Sequence, residues 1–321
     1  MTLLAFLGAA LLVVLAGHRV AFYGDVLAEK TRMGRSLVGL FLVAATTSLP
    51  ELFSSTSALL QDLPDIAVGN LLGASMVNFL LLVFVDAFHP RPVTARASQK
   101  HALSLGLAVL LLAMVGLGLF REVGLGRVGL MALFLFPLYA LALWLSFRYA
   151  RRFPQEEAQE EAYAHIPLRL ALAHYGVGAL VLVAAAAVLP VLADRLAEET
   201  GLGDAWVGTF LVALVTTLPE ATVMMAAARM GAVDLAVGNA VGSTLFNTFL
   251  LGVGDLVYPI PLLGVVAKGH AATVFVLQAM AGVVLVSLMC RSLRKLWVLS
   301  YDSWAVLLLY FLAMAYGLVL R

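Results

Sequence analysis

The sequence predicts an all-helical membrane protein with ten transmembrane helices. Of its 321 residues, 63% are apolar and 12% are charged, and the mean hydropathy is +1.01. Soluble domains carry about 25% charged residues, so this composition excludes a water-soluble enzyme and a disordered chain. Apolar runs of roughly 20 residues, long enough to cross a bilayer, recur along the whole chain. The third observation is an internal repeat whose two copies lie an odd number of spans apart.

Each predicted span is an apolar run that ends at charged residues, proline or glycine. The ten spans cover 2–22, 36–60, 66–88, 101–119, 127–148, 167–193, 205–229, 234–257, 269–289 and 301–320. The only predicted linker, 151–165, divides the chain into a first five-helix half, 1–150, and a second, 166–321. The four glutamates of the linker are typical of a solvated surface.

Lysine and arginine are distributed unevenly between the two sides of the predicted membrane. The side that holds both termini carries 5 of them, and the opposite side carries 15. Because cytoplasmic loops are enriched in these residues, we expect both termini outside the cytoplasm and the linker inside it, in a cell membrane. The net charge of +1 provides no bulk attraction for nucleic acid, and the single cysteine, Cys290, excludes an internal disulfide. The lipid bilayer is the predicted environment, and no obligate protein partner is indicated.

The strongest signal in the sequence is an internal repeat with an offset of 169 residues. It aligns 38–92 with 207–261 without a gap, and 23 of the 55 positions are identical. The shared residues include Leu-Pro-Glu at 49–51 and 218–220, Gly-Asn at 69–70 and 238–239, and Asn78 with Asn247. The copies occupy spans 2–3 and 7–8, so they must cross the membrane in opposite directions. Inverted repeats with a substrate site at their interface are a recurring plan of secondary transporters.

Two glutamates, Glu51 and Glu220, lie well inside predicted spans, whereas most other ionisable residues lie at span ends or in loops. An acidic side chain at the centre of a membrane helix costs about 2.5–3.5 kcal/mol on insertion scales. No lysine or arginine is predicted at the same depth to form an ion pair. A protonated, structural glutamate explains a single copy, but two copies at matched positions favour bound cations or protons as the compensating charge.

The neighbours of the two glutamates favour cations, because they are oxygen donors. Each glutamate follows a proline, which removes a backbone donor and frees carbonyl groups about one turn upstream. The candidate ligands are the carboxylates of Glu51 and Glu220, the side chains of Thr47, Ser48, Thr216, Thr217, Asn78, Ser243 and Asn247, and carbonyls within 44–47 and 213–216. An all-oxygen set with two carboxylates suits Ca²⁺ or Na⁺, and it does not suit zinc or copper.

Other repeated polar residues have simpler interpretations. Asp65 and Asp234 follow loops and open helices, so we expect them to act as N-caps. Asp86 and Asp255 lie near the far ends of the same helices, where we expect solvation at the membrane interface, although their repeat symmetry also permits a role in the ion path. The two Gly-Asn pairs, with the glycines that follow them, allow either close helix packing or a contribution to the site.

Each copy of the repeat carries two motifs, one around its glutamate and one on the following span. The first copy reads Thr-Ser-Leu-Pro-Glu at 47–51 and Gly-Asn-Leu-Leu-Gly-Ala-Ser-Met-Val-Asn at 69–78. The second reads Thr-Thr-Leu-Pro-Glu at 216–220 and Gly-Asn-Ala-Val-Gly-Ser-Thr-Leu-Phe-Asn at 238–247. These motifs resemble the two α-repeats of the Ca²⁺/cation antiporter superfamily, specifically of its sodium/calcium exchanger branch. The resemblance implies a ten-helix antiporter without a cofactor, which exchanges Ca²⁺ for Na⁺ by alternating access.

The same resemblance implies roles for individual residues. Glu51 and Glu220 would be the central ligands shared by Ca²⁺ and Na⁺, and Ala44 and Ala213 would supply carbonyl oxygens. Hydroxyl ligands would come from Thr47, Ser48, Thr216, Thr217 and Ser243. Spans 1 and 6 would slide across the core of the protein as a gate.

Two departures from the family pattern concern the charge of the site. Asn247 stands where the family commonly has an acidic residue, and Ala74 stands where it often has serine. The predicted pocket therefore holds two formal negative charges, and two adjacent carboxylates without an ion repel each other and attract protons. A Ca²⁺/H⁺ antiporter is thus an alternative, and a passive cation channel is a further one. An intramembrane enzyme is disfavoured, because the sequence has no central histidine, His-Glu-x-x-His or Gly-x-Ser-x-Gly pattern.

Overall fold

The computed structural model describes residues 2–152, 162–200, 217–291 and 294–319, most of which are helical. The helices before the linker are α1 (Thr2–Lys30), α2 (Arg35–Val38), a π-helical turn (Gly39–Val43), α3 (Ala44–Thr47), α4 (Leu49–Leu60), α5 (Pro64–Phe88), α6 (Val93–Arg96), α7 (Lys100–Phe120) and α8 (Leu130–Arg152). Those after it are α9 (Leu168–Thr200), α10 (Leu218–Arg229), α11 (Val233–Val257), α12 (Leu262–Val265), α13 (His270–Cys290) and α14 (Tyr301–Val319). Two antiparallel hairpins pair β1 (Gly124–Leu125) with β2 (Val128–Gly129), and β3 (Lys295–Leu296) with β4 (Leu299–Ser300).

Among the described residues, seven helices are long and apolar enough to cross a membrane, and the bent segment 35–60 makes an eighth span. The seven are α1, α5, α7, α8, α9, α11 and α13. Helix α14 contains a shorter apolar stretch, and α10 covers the end of the predicted seventh span, whose residues 205–216 lie outside the described ranges. The chain is therefore a multi-pass membrane protein.

Several predicted span boundaries differ from the structure, among them the end of the sixth span, which lies at Thr200 and not at 193. Helix α1 does not end at 22 but continues to Lys30, because tertiary contacts satisfy its polar last turns: the buried Asp25 pairs with Arg35 and accepts a hydrogen bond from the Tyr163 hydroxyl at 2.9 Å. The fifth span does not begin at 127 but at Leu130, because the residues before it form the β1–β2 hairpin. Gly126 in this hairpin has φ +69°, a conformation that glycine adopts without strain.

The second span is broken at Ser48, directly before the Leu-Pro-Glu sequence. Ser48 has φ −89° and ψ 6°, and the helix axes on either side of it differ by 42°. Pro50 lies in the first turn of α4, where its missing N–H needs no partner. The helix break predicted from this proline is therefore confirmed. In the second copy, α10 also begins with a Leu-Pro-Glu sequence, and Thr217 before it has φ −90° and ψ −1°.

Glycines on α11 allow it to cross the broken span at backbone contact distance. A Cβ atom built on Gly238 would lie 2.7 Å from the carbonyl oxygen of Ser36. One built on Gly242 would lie 2.1 Å from the carbonyl oxygen of Leu40. No side chain fits at either position, so these glycines support close helix packing. The crossing places α11 beside the π-helical turn and α3, which lead into the break at Ser48.

Asp65 and Asp234 are not N-caps, contrary to the expectation from sequence. Neither α5 nor α11 has a side-chain cap. Each carboxylate bonds instead to residues in the other half of the chain. The partners are Ala267 N (2.7 Å) and His270 Nε2 (3.0 Å) for Asp65, and Ser98 N (2.6 Å) and His101 Nε2 (3.0 Å) for Asp234. These partner positions are related by the same 169-residue offset as the repeat. Tertiary packing, and not the local helix ends, therefore supplies the partners of these two carboxylates.

Asp86 and Asp255 are buried, at 1% and 0% exposure, so the expected solvation at the membrane interface is wrong. Backbone N–H groups compensate both carboxylates. The donors are Val93 (2.9 Å) and Ser300 (2.8 Å) for Asp86, and Leu262 (2.7 Å) and Gly129 (2.7 Å) for Asp255. One donor to each carboxylate belongs to a β-hairpin, so the two aspartates tie the hairpins to the helices.

Glu122 lies between α7 and β1, outside the membrane-spanning helices. Its surroundings predict that the stability of the folded protein depends on pH. Its Oε1 accepts a hydrogen bond from the Met131 N–H (2.9 Å), whereas its Oε2 is buried without a partner in the described part of the chain. Burial raises the pKa of this carboxyl, and the neighbouring Asp255 raises it further. The folded state therefore holds the proton more tightly than the unfolded state, so stability falls as the pH rises through the folded-state pKa.

We expect Glu122→Gln to remove this fall in stability. Glutamine keeps an acceptor oxygen for Met131 but carries no charge. The variant should have a higher Tm than the wild type in alkaline solution and nearly the same Tm in acid below the ordinary pKa of glutamate. Thermal unfolding in detergent over a pH series measures both, with Glu199→Gln on the exposed side of α9 as the control. Parallel curves for the wild type and Glu122→Gln would contradict the prediction.

Candidate cation site

Glu51 and Glu220 occupy equivalent positions in the first turns of two short helices. Glu51 lies on α4 and Glu220 on α10, and each residue is only 1% exposed. A helix N-terminus carries a partial positive charge, so this position favours a carboxylate. Glu220 lies next to Glu51 and also next to Thr47 and Ser48 of the broken span. The structure therefore brings together the two residues that the sequence predicts to be central.

Several polar atoms at the two carboxylates form no hydrogen bond within the part of the chain that the structure describes. Both oxygens of Glu220, Oε2 of Glu51 and the Ser48 hydroxyl are buried there without a hydrogen-bond partner. Among the described residues, no lysine, arginine or histidine forms an ion pair with either glutamate. Unpaired buried charge is strongly unfavourable. A cation held between the two carboxylates would satisfy these oxygens.

The Thr47 hydroxyl connects the broken span to α11. It donates a hydrogen bond to Asn239 Oδ1 (3.1 Å), and its oxygen lies 3.3 Å from the Ala44 carbonyl oxygen and 3.4 Å from Ser243 Oγ. All four residues are fully buried. Three predicted ligands, Thr47, Ala44 and Ser243, thus meet at the crossing of α3 and α11.

Asn239 is a residue of this site that was not predicted as a ligand. Its repeat counterpart, Asn70, makes different contacts: the Asn70 amide donates to Ser54 Oγ (2.9 Å) and Ser55 Oγ (3.0 Å). The Gly-Asn pair in both copies was the available signal, but the sequence does not distinguish the copies. Only the contact with Thr47 shows that Asn239 belongs to the site.

The structure connects the remaining predicted ligands less directly with the two glutamates. Asn78 and Asn247 are buried at 2% and 1% exposure, in equivalent turns of α5 and α11. Asn247 donates its amide to Ser75 Oγ (3.4 Å), which leaves Asn247 Oδ1 buried without a partner. Neither asparagine forms a hydrogen bond with a glutamate in the described structure. Thr217 is half-buried at the start of α10, and Thr216 and Ala213 lie outside the described residues.

The site offers oxygen ligands from two carboxylates, hydroxyls and a carbonyl. No cluster of three or more His, Cys, Asp or Glu side chains occurs in the described part of the chain. Among the residues that the structure describes, the formal negative charge at the site is that of the two glutamates. Such a set suits hard cations, whereas zinc and copper sites use imidazole or thiolate ligands.

Comparison with known proteins identifies the family of this chain, and the match extends over nearly all of its length. The family model described as "Sodium/calcium exchanger protein" matches residues 1–148 and 170–319, on both sides of the linker. The inner membrane protein YrbG of Escherichia coli (strain K12) is 31% identical, over 78% of each chain. The sodium/calcium exchanger MaX1 of Methanosarcina acetivorans is 27% identical, over 74% of this chain and 77% of its own.

The fold is similar to solved structures of the sodium-calcium exchanger NCX_Mj. The structure of that protein soaked with 10 mM Na⁺ and no Ca²⁺ has a TM-score of 0.78 and 20% identity, and the match covers 98% of this chain and 99% of that one. At this identity the likeness establishes the fold. The match to the family model and the identity with YrbG establish the family. The resemblance seen in the two motifs is thereby confirmed: the chain belongs to the sodium/calcium exchanger protein family.

Proposed function

We propose that this protein is a secondary active antiporter of the cell membrane, which exchanges Ca²⁺ for Na⁺ by alternating access. The observation that carries the proposal is the buried pair of Glu51 and Glu220: among the described residues, three of their four carboxylate oxygens accept no hydrogen bond, and no basic side chain pairs with either residue. Such a pair is stable inside a membrane protein when cations or protons neutralise it. Membership of an exchanger family, and the name of the relative MaX1, support Ca²⁺ and Na⁺ as these ions.

The proposed architecture has ten transmembrane helices in two inverted halves, 1–150 and 166–321, joined by a cytoplasmic linker at 151–165. Both termini would lie outside the cytoplasm. Two observations support the inversion. Helices α4 and α10 start with the same Leu-Pro-Glu sequence, and the paired contacts of Asp65 and Asp234 are related by the repeat offset.

The proposed ligands are the oxygen donors around the two glutamates. Glu51 and Glu220 would bind either ion directly, and the other ligands would complete the shell around it. These are the hydroxyls of Thr47, Ser48, Thr216, Thr217 and Ser243, the carbonyls of Ala44 and Ala213, and the amide oxygens of Asn78 and Asn247. The contacts of Thr47 with Ala44 and Ser243 support this part of the set.

Charge balance explains how such a site couples the two ions. One Ca²⁺ or two Na⁺ neutralise the two carboxylates, and because both ions use the same oxygens they do not bind together. An empty site carries two like charges in a low-dielectric interior, where their repulsion is only weakly screened. A change of access that moves this charge through the membrane is therefore favourable only when ions or protons occupy the site. Each Ca²⁺ that crosses in one direction must then be replaced before the site returns.

Proton exchange is the second candidate, and the same geometry favours it. Two adjacent buried carboxylates without a cation are most stable when at least one carries a proton. Protons would then neutralise the site on the return step in place of Na⁺. The two antiport candidates differ only in the ion that drives the cycle.

Flux measurements that vary Na⁺ and pH independently test the proposal. In liposomes loaded with Na⁺, we expect Ca²⁺ uptake several times faster than in Na⁺-free liposomes at the same pH, and we expect a Na⁺ ionophore to remove the difference. Uptake driven by a pH gradient without Na⁺, and not by a Na⁺ gradient, would assign the protein to Ca²⁺/H⁺ exchange. Downhill Ca²⁺ flux that depends on neither gradient would identify a channel and would contradict antiport.

A further inference from the structure

Tyr175 of α9 reaches the broken span about one turn before the proposed cation site. Its hydroxyl lies 2.9 Å from Thr46 Oγ1, and it lies 3.1 Å from the carbonyl oxygen of Leu42, to which it donates. Thr46 also donates to this carbonyl, at 2.8 Å. The three contacts share two hydroxyl protons, so Tyr175, Thr46 and Leu42 form one small closed network.

This network is shielded from solvent. Tyr175 is 5% exposed and Thr46 is 8% exposed. The Tyr175 ring lies against Gly24 of α1, with its Cε2 atom 3.8 Å from the position that a Gly24 Cβ would occupy. The ring is therefore held between α1 and the broken span. Removal of either hydroxyl would take one hydrogen bond from the Leu42 carbonyl, in a place where water does not readily replace it.

The network is bonded to the part of the broken span that directly precedes the proposed ligands Thr47 and Ser48. Leu42 belongs to the π-helical turn, and Thr46 directly precedes Thr47 and Ser48. Single π-turns inside α-helices depart from regular hydrogen bonding and are frequent at functional sites. A side-chain hydrogen bond to a carbonyl of this turn therefore limits how far the following residues shift. Thr47 and Ser48 are the residues that such a shift would move first.

The repeat shows that the network is not a general requirement of the fold. Within the repeat, Thr46 corresponds to Val215, and the same offset of 169 residues, extended to the first span of each half, pairs Tyr175 with Phe6. Neither residue of the second pair has a hydroxyl. Only one of the two homologous segments has these groups, so they serve something other than the shared helix packing.

We propose that Tyr175 is a positioning residue of the cation site, acting through Thr46 and Leu42 to hold Thr47 and Ser48 in the cation-binding geometry. The inference deepens the proposed function and rests on it. It assigns to α9, which contributes none of the proposed ligands, an indirect effect on ion affinity. The hydroxyl, and not the aromatic ring, carries this effect, because the ring alone would pack equally well as phenylalanine.

Three variants of the full-length protein test this role: Tyr175→Phe, Thr46→Val and the double substitution. Each single change should raise the Kd for Ca²⁺, measured by calorimetry in detergent, and the KM of Na⁺-driven uptake by about fivefold, the factor expected for one net hydrogen bond. The double variant should show less than the product of the two single increases, because each single substitution already breaks the contact between Tyr175 and Thr46. The kcat should stay at the wild-type value, and the Tm should fall by no more than the loss of one buried hydrogen bond explains. Tyr139→Phe, which removes a hydroxyl from a tyrosine stacked on Phe249 of α11, should leave all four quantities unchanged.

Each contrary outcome separates the inference from the proposed function. An unchanged Kd and KM for Tyr175→Phe would overturn the inference alone, provided that the wild type exchanges the ions. Increases that multiply in the double variant would show that Tyr175 does not act through Thr46. A lower Tm or kcat without a change in affinity would show a purely structural role and would also overturn it. A wild type without Na⁺-dependent Ca²⁺ uptake would overturn the proposed function and this inference with it.

Discussion

Replacement of either Glu51 or Glu220 by glutamine is expected to reduce Na⁺-driven Ca²⁺ uptake by at least about 100-fold, which corresponds to about 2.7 kcal/mol. Glutamine keeps the shape of the side chain but removes one of the two formal charges and replaces one oxygen with an N–H₂ donor. Both changes oppose cation binding at a site where three carboxylate oxygens already accept no hydrogen bond from the described residues. Initial rates of Ca²⁺ uptake into liposomes measure the loss, and the protein content of the liposomes normalises it.

Stability measurements distinguish loss of the site from loss of the fold. Each substitution removes an uncompensated buried charge, so the Tm without cations should stay the same or rise. Ca²⁺ should raise the Tm of the wild type, because it binds the folded state, and it should not raise the Tm of the variants. Glu199→Gln, at an exposed carboxylate of α9, is the matched control and should transport like the wild type. Undiminished uptake by both Glu51→Gln and Glu220→Gln would refute the assignment of the site.

Gly242→Ala is expected to abolish uptake through a change in packing and not in charge. The added Cβ would lie 2.1 Å from the Leu40 carbonyl oxygen and 2.7 Å from the Ala44 Cβ, so α11 and the broken span must separate. Overpacking of this kind costs about 1–3 kcal/mol, and a displacement of 1 Å at a functional site reduces its activity by about 100-fold. We therefore expect both a lower Tm and a loss of uptake.

The control for this prediction is Gly106→Ala on α7. A Cβ atom at Gly106 meets no described atom within 4 Å, so the same chemical change should leave Tm and uptake nearly unchanged. Normal uptake and a normal Tm for Gly242→Ala would show that the helices do not cross at backbone distance in the membrane.

Several features of the fold follow from the sequence because the bilayer leaves few alternatives. Hydrocarbon requires long apolar helices, so hydropathy alone located the spans that the structure describes, from α1 to α13. The proline before Glu51 predicted the break of the second span, because a proline ends the regular bonding of a helix. The repeated Pro-Glu sequences marked the two carboxylates that the structure brings together.

The polar contacts between distant segments were not predictable in the same way. Asp65 and Asp234 were predicted to be N-caps because aspartate is favoured at the start of a helix. Both bond instead to residues that are far away in sequence. Asn70 and Asn239 have the same neighbours in the two copies, but only Asn239 bonds to Thr47. The roles of Thr216 and Ala213 stay predictions, since they lie outside the described residues.

The sequence by itself determined the class of protein, its family and the two acidic residues at its centre, because composition, periodicity and repeated motifs are properties of the chain alone. Tertiary structure decided which oxygens face each other and which carboxylates have partners. It also decided where α9 touches the segment that presents Thr47. The physical reason is that hydrogen bonds form over about 3 Å, and only the packing of helices that are distant in sequence determines which groups come within that range.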